Sequence, residues 1–460
     1  MKLALLVLAT VAGLVAVSAV REDVSADVHG KRYLFDSVKY SAAKCLDGSP
    51  AGVYARANLL PAHETDWIIM FEGGGECVTR MGCTKRANTT LGSSREWPEV
   101  RGFYGMQDHR ETQNPEFYAW NQLLVPYCSG DLFLGLDKAP NDRAYGLQFS
   151  GFHGVTAAVD FALRTTSLWN ARRVIITGES AGGIAAVAVA DAIKKQIEDF
   201  VAAETAQSEA LAVSVGLGSG VSTSSPLTVG LESLAASVGL PSSTGAFSAS
   251  TAVAATKEYY LVPIAGSYFN GEVVYTGPEP RPGAYIPWAW KDLQKYATLW
   301  NAFLPAACVA AHAAEPWRCI FSEASYPTVS MPVFAVQAQT DAVVVSLHAG
   351  VPQVWLPADQ SPRPCFNQLQ VCPAPVAEYL VGWTERMRAA LKPVTSRTLP
   401  GAGAFFASCF LHTEFSATAP KIGGLSHRPA VKAWLDAKAQ GDHVHMDNCA
   451  DGEIFCGQCK

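Results

Sequence analysis

The residues with the clearest chemical potential are Gly178-Glu-Ser180-Ala-Gly182. A serine hydroxyl attacks a carbonyl only when a base takes its proton. Here the serine stands between two glycines, directly after the apolar run Val174-Ile175-Ile176 and directly before small apolar residues that continue to Ala190. That spacing predicts a buried strand, a sharp turn and a helix, with the serine on the turn so that its hydroxyl projects above a sheet. Side chains at the flanking positions would collide with the neighbouring strand and helix, which explains the two glycines. The N–H of Ala181, at the start of the helix, then points to the place where an oxyanion forms. The competing reading is a glycine-rich packing turn with a bystander serine. A base, an acid and a second oxyanion donor elsewhere in the chain would displace it.

Candidates for all three are present. Asp66-Trp-Ile-Ile-Met-Phe71 reads as a buried strand that runs into Glu72-Gly73-Gly74-Gly75-Glu76-Cys77. Consecutive glycines let backbone N–H groups approach a ligand unobstructed, so this loop is a candidate for the second half of an oxyanion hole, with simple turn glycines as the bland alternative. A phosphate cradle would close on Gly-Lys-Ser/Thr, and Glu76-Cys77 stands there instead. Pro332-Val-Phe-Ala-Val-Gln-Ala338 reads as a late strand followed by Asp341, and Gly403-Ala-Phe-Phe-Ala-Ser408-Cys409-Phe-Leu-His412 as a short strand ending at a histidine. Asn121-Gln-Leu-Leu-Val-Pro-Tyr127-Cys128-Ser-Gly130-Asp131 reads as a further strand ending in a loop, so Asp131 and Asp137 are rival acids. The order Ser180, Asp341, His412 is that of α/β-hydrolases.

The elements that must hold these groups alternate as strand, loop, helix and strand, the pattern of a mostly parallel α/β sheet flanked by helices. Val155–Leu168 reads as the amphipathic helix that leads into the serine strand. Leu211–Leu217 is expected to be the next strand. The Ala/Ser/Gly-rich stretch after it and the aromatic, proline-rich Tyr259–Trp317 region are expected to form inserted cap material, about 218–330 in all. A single domain over 20–460 is expected.

Seven motifs together resemble the pectin acetylesterase family, carbohydrate esterase family 13, which also contains the Notum-type lipid deacylases. They are Cys45-Leu-Asp-Gly-Ser-Pro50, Glu72-Gly-Gly-Gly75 with Cys77, Leu91-Gly-Ser-Ser94, Asn114-Pro-Glu-Phe-Tyr-Ala-Trp-Asn121, Tyr127-Cys-Ser-Gly130, Gly178-Glu-Ser-Ala-Gly-Gly183 and Ser408-Cys-Phe-Leu-His412. The resemblance implies Ser180 as nucleophile, His412 as base, Asp341 as acid, and oxyanion donors at Gly74, Gly75 and Ala181. It implies an α/β-hydrolase-like fold with inserted cap segments, no cofactor, and acetylated polysaccharide such as pectin as substrate. The alternatives are removal of a longer acyl group from a protein, or an inactive secreted binding protein. Plant members usually carry Trp where this chain has Glu76, and Asp-Gly where it has Ser129-Gly130, so the departures bear on substrate more than on catalysis.

Composition sets the address. Met1-Lys2 followed by an apolar run to Ala19 reads as a secretory signal peptide, 1–19, with no stable membrane insertion after cleavage. The even count of 12 cysteines then favours disulfides over metal sites. A zinc site built on Cys456-Gly-Gln-Cys459 with His443 and His445 is the weaker reading, and no metal is expected. Asn88-Thr-Thr90 is a glycosylation sequon. A net charge of -6 and no basic run exclude a nucleic-acid binder. The expectation is a secreted or cell-wall monomer.

Overall fold

The computed structural model describes residues 29–56, 63–214, 257–271, 275–277, 288–351, 372–396, 398–450 and 453–459. The expected leader, 1–19, lies outside them. Strands β1 (Gly30–Leu34), β2 (Gly52–Arg56), β3 (Asp66–Phe71), β4 (Val100–Arg101), β5 (Asn121–Val125), β6 (Arg173–Glu179), β7 (Glu258–Ile264), β8 (Phe334–Asp341), β9 (Gly403–Leu411) and β10 (Val444–Met446) form one sheet in the order β10-β9-β8-β7-β6-β3-β5-β2-β1-β4. From β10 to β5 all neighbours are parallel, and β5, β2, β1 and β4 continue antiparallel. The central strands are covered on both faces, so they read as unbroken apolar runs; every residue of β3 and β8 is buried.

Helices α1 (Arg80–Ala87), α2 (Gly151–Thr165) and α3 (Ala181–Ser214) come from the first half of the chain. From the second half come α4 (Trp290–Trp300), α5 (Ala306–Ala311), α6 (Ala374–Ala390) and α7 (His427–Asp436). The first ten residues of α3 are all buried. Small side chains make this possible, because the helix starts hard against the sheet.

The order β6-β3-β5 is the feature that makes a site. The chain leaves β3 towards β5 on one side and returns to β6 on the other. A crevice opens at the carboxyl ends of the strands at such a reversal. Phe71 pairs with Gly178, so Glu72-Gly73 and Glu179-Ser180 emerge side by side from the sheet. Asp341 pairs with Leu411, which sets Asp341 beside the residue before His412.

Two expectations fail. Leu211–Ser214 continues α3 rather than forming a strand, since the Ala-rich sequence before it favours helix. Residues 215–217 of that expected strand, and 218–256 beyond it, lie outside the described residues. The strand that follows α3 is β7, in the region expected to be cap, so 218–330 is not one inserted block. Pro263 obscured it: lacking an N–H, proline seldom sits in a central strand. The ladder reflects this, because β7 pairs along its whole length with β6 but meets β8 only at Ile264–Val336 and the isolated Leu261–Val333 bridge.

Five disulfides join described cysteines: Cys45–Cys128, Cys77–Cys83, Cys308–Cys319, Cys409–Cys459 and Cys449–Cys456. Among the described residues, no helix is long and apolar enough to cross a membrane.

Candidate active site

Ser180 sits on the turn between β6 and α3 with φ +56°, a left-handed conformation that non-glycine residues rarely hold. Backbone bonds on both sides fix it. Its N–H donates to the Ile264 carbonyl at 2.9 Å, and its carbonyl accepts from Ile184 at 3.0 Å. The flanking glycines are required by contact. A Cβ on Gly178 would lie 2.2 Å from the Gly182 carbonyl oxygen, and one on Gly182 would lie 2.0 Å from the Phe71 oxygen.

The glycine loop after β3 runs beside this turn. A Cβ on Gly73 would stand 2.7 Å from the Glu179 oxygen and 3.1 Å from the Ser180 Cβ. Gly74 and Gly75 hold φ +148° and +65°, and their N–H groups make no hydrogen bond among the described residues. The Arg86 guanidinium braces the loop from behind, donating to the Gly74 carbonyl at 2.7 Å and the Glu76 carbonyl at 3.3 Å. The Cys77–Cys83 disulfide ties the loop's end to α1. Ala181, the first residue of α3, has an N–H with no acceptor inside the helix. The three expected oxyanion donors therefore line one cavity with Ser180.

His412 follows β9 directly. Its Nδ1 bonds the Asp341 Oδ2 at 2.8 Å, while its buried Nε2 has no partner. Asp341 is fully buried and accepts three further bonds: from Gln337 Nε2 at 2.9 Å, and from the Val343 and Val344 N–H groups at 3.0 Å each. Burial alone would lower the His412 pKa. The Asp341 charge and hydrogen bond, helped by Glu414 and Glu179, outweigh it and raise the pKa above the ordinary histidine value. The end of β9 is clasped by the C-terminal segment. Cys409 bonds Cys459, the Ser408 N–H donates to Asp447, and the Ser408 hydroxyl donates to the Ile454 carbonyl.

The rival acids sit elsewhere. Asp131 accepts from the Ser129 hydroxyl and the Gly135 and Gly151 N–H groups, and Asp137 pairs with Arg143. Cys456 and Cys459 are in disulfides, and no cluster fit to hold a metal exists among the described residues. Asn88 is exposed at the end of α1.

Ser180 and His412 face a cavity of about 580 Å³. Its lining includes apolar Ile184, Val343 and Leu347 and the polar Glu72, Tyr104, Glu179 and Thr413. Two wall residues, Tyr268 and His348, carry no sequence signal, nor does Trp288, which is buried and packed against both. The buried Tyr268 hydroxyl meets the Ser180 hydroxyl, and burial pushes the phenol pKa well up. Trp288 donates from Nε1 to Glu76 Oε1 at 2.9 Å, and His348 Nδ1 lies 3.9 Å from the same oxygen. The rings of Tyr268, Trp288 and His348 are in mutual contact, with centroids 4.8 to 5.7 Å apart. No short motif marks these residues. Glu179 was visible within the serine motif, but its place on the cavity was not.

A family model described as Pectinacetylesterase matches residues 24–209 and 256–452. The unmatched interval falls on the Ala/Ser/Gly-rich stretch. Pectin acetylesterase 11 of Arabidopsis thaliana is 26% identical over 414 residues, covering 88% of this chain and 85% of that protein. The palmitoleoyl-protein carboxylesterase NOTUM of Homo sapiens is 31% identical over 160 residues, covering 34% of this chain and 31% of that protein. Among solved structures, the Wnt deacylase Notum from Drosophila superposes with a TM-score of 0.64 at 21% identity, over 92% of this chain and 97% of that one. That likeness is one of fold.

Proposed function

The chain belongs to the pectinacetylesterase family and is a carboxylic ester hydrolase, and on that premise we propose that it removes acetyl groups from cell-wall polysaccharide such as pectin, through Ser180, His412 and Asp341. The observation that carries the reading is the convergence on one cavity of the strained Ser180, the unpartnered His412 Nε2 and the N–H groups of Gly74, Gly75 and Ala181.

In the first step the Ser180 hydroxyl leaves Tyr268 for His412 Nε2, gives up its proton there and attacks the ester carbonyl. The N–H groups of the glycine loop and Ala181 receive the oxyanion; losing one such donor typically costs about 10²–10³ in rate. His412 then passes the proton to the departing sugar oxygen. Water, deprotonated by the same nitrogen, releases acetate from Ser180. Asp341 keeps the proton of neutral His412 on Nδ1 and stabilises the imidazolium. A small acyl group is favoured by the Tyr268 and His348 wall, backed by Trp288, whose indole is tied to Glu76.

Secretion is supported by the apolar leader and by the disulfides, which persist in oxidising compartments. Glycosylation at the exposed Asn88 fits the same route. The test measures acetate released from acetylated pectin and acetylated xylan, with p-nitrophenyl esters of two to eight carbons alongside, for the wild type and Ser180→Ala. Release from glycan that Ser180→Ala abolishes supports the proposal. Hydrolysis equal in the two proteins sinks it, and a preference for six or more carbons would replace acetyl with a longer acyl group.

A further inference from the structure

Glu179 is the last residue of β6 and the immediate neighbour of Ser180. Its side chain lies against the Tyr104-Gly105 turn, where a Cβ on Gly105 would stand 2.8 Å from Glu179 Oε1. It lines the cavity and is nine-tenths buried, yet it has no hydrogen-bond or ion-pair partner among the described residues. Every other acid near Ser180 is engaged. Glu72 pairs with Arg101 and accepts from the Tyr127 N–H at 3.1 Å; Glu76 holds Trp288; Asp341 accepts four bonds. The nearby cations are engaged too. Arg101 is on Glu72, Arg86 is on the carbonyls of the glycine loop, and Arg428 donates to the Gly105 carbonyl.

A buried carboxyl with no partner is costly, and such groups are retained where a ligand completes them. We propose that Glu179 is a specificity-determining residue for the alcohol half of the ester, bonding the hydroxyls of an uncharged sugar ring and repelling a ring that carries a free carboxylate. The inference rests on the reading of Ser180 above and narrows it. The natural acetyl ester would sit on neutral or methyl-esterified stretches of polysaccharide rather than on free uronic acid.

The charge balance supports this. The groups facing Glu179 are Glu72 with its Arg101, Tyr104, and His412 with Glu414 behind it. Burial pushes the Glu179 carboxyl up to about 7; Glu72 acts in the same direction and His412 against it. The group is therefore ionised at pH 8 and largely protonated at pH 6. A substrate carboxylate some 6–8 Å away, at an effective dielectric of about 30, then loses about tenfold in kcat/KM at pH 8.

The test compares two oligogalacturonides with the same acetylation, one with free carboxylates and one fully methyl-esterified, in the wild type and in Glu179→Gln at pH 6 and pH 8. The readout is the ratio of kcat/KM for the two substrates, in which the titration of His412 cancels. The wild-type ratio should favour the methyl ester about tenfold at pH 8 and shrink at pH 6. In Glu179→Gln it should fall within about threefold at both pH values. A ratio that is equal in wild type and variant, or a wild type that prefers the free acid, overturns the proposal. Should Glu179→Gln fail to fold, the wild-type ratio against pH decides alone, and a flat profile refutes it. Ser180→Ala separates the two claims: if acetate release survives in it, the reading of the site fails; if release is lost while the ratios stay flat, only the role of Glu179 falls.

Discussion

Replacing Asp341 by Asn tests the proposed acid more sharply than deletion, because the shape of the side chain is kept. Asp341 Oδ1 takes the Val343 and Val344 N–H groups, and Oδ2 takes Gln337 and His412. The amide oxygen of the substituted side chain can hold the two backbone donors. Its NH₂ must then face both Gln337 Nε2 and His412 Nδ1. Gln337 cannot turn over cheaply, since its Oε1 accepts the Ser267 N–H at 3.0 Å. His412 would answer by presenting its Nδ1 lone pair and carrying its proton on Nε2, the nitrogen that should receive the proton of Ser180. The expected loss in kcat is about 10³–10⁴, or about 4–5.5 kcal/mol of transition-state stabilisation. The buried donor clash should cost about 1–3 kcal/mol of stability. The assay is saturating p-nitrophenyl acetate hydrolysis against pH, with urea unfolding alongside. In the wild type the acid limb should lie above 6.5, because activity needs neutral His412 and its pKa is raised. In Asp341→Asn the limb should move to lower pH, since burial then dominates. Asp131→Asn, equally buried but bonded elsewhere, should lose stability without moving the limb. An Asp341→Asn enzyme that keeps a tenth of the wild-type kcat with an unmoved limb would refute the assignment.

Trp288→Ala should remove the support behind Tyr268 and His348 and let the cavity deepen, raising the hexanoate-to-acetate ratio of kcat/KM at least tenfold at a stability cost of about 3–5 kcal/mol; an unchanged ratio on p-nitrophenyl esters would show that another group sets acyl length. The Cys409→Ser/Cys459→Ser double variant removes a bridge spanning 50 residues. It should lose about 4 kcal/mol in chemical unfolding, and a loss below about 1 kcal/mol would mean that the Ser408 bonds alone hold the C-terminal clasp. Glu179→Gln should be more stable than the wild type at pH 8 and equal to it near pH 4. A carboxyl with a raised pKa contributes fully below its unfolded value, 4.5, and loses that contribution as pH rises through about 7. The gain, read by thermal unfolding, should be about 3 kcal/mol, and no gain at pH 8 would mean that the Glu179 carboxylate finds compensation in solution.

Where local sequence dictates local structure, the chain was legible. Val174-Ile175-Ile176, Asp66–Phe71 and Gly403–Leu411 announce buried strands because a parallel sheet covered on both faces needs unbroken apolar runs. The glycines at 178 and 182 announce a contact that no side chain could survive. Asp341 and His412 were legible through their position at strand ends, and the sheet register supplies the rest by pairing Asp341 with Leu411. What was hidden depended on distance or on a broken rule. β7 was masked by Pro263 and by the Ala-rich sequence before it, and β1, next to the edge strand β4, by its polar residues. Tyr268, Trp288 and His348 meet only because β7, the segment before α4 and the segment after β8 converge. No short-range spacing encodes that wall.

The elbow itself divides into positions with different masters. Gly178 and Gly182 are held by backbone oxygens 2.2 and 2.0 Å from where a Cβ would be. Ser180 is held by its strained φ and by the chemistry proposed for it, and Ala181 by burial against the sheet. Glu179 alone is bound by none of these constraints. Its backbone completes β6, and its side chain leaves the sheet for the cavity, where a small neutral residue would fold at least as well. A fold-driven choice would not place an unpaired acid there. The cost of keeping one is a pH-dependent loss of stability beside the nucleophile, the kind of expense that stability–activity trade-offs lead one to expect where a substrate is selected. The same carboxyl that weakens the fold above pH 7 is then the one that decides which sugar ring approaches Ser180.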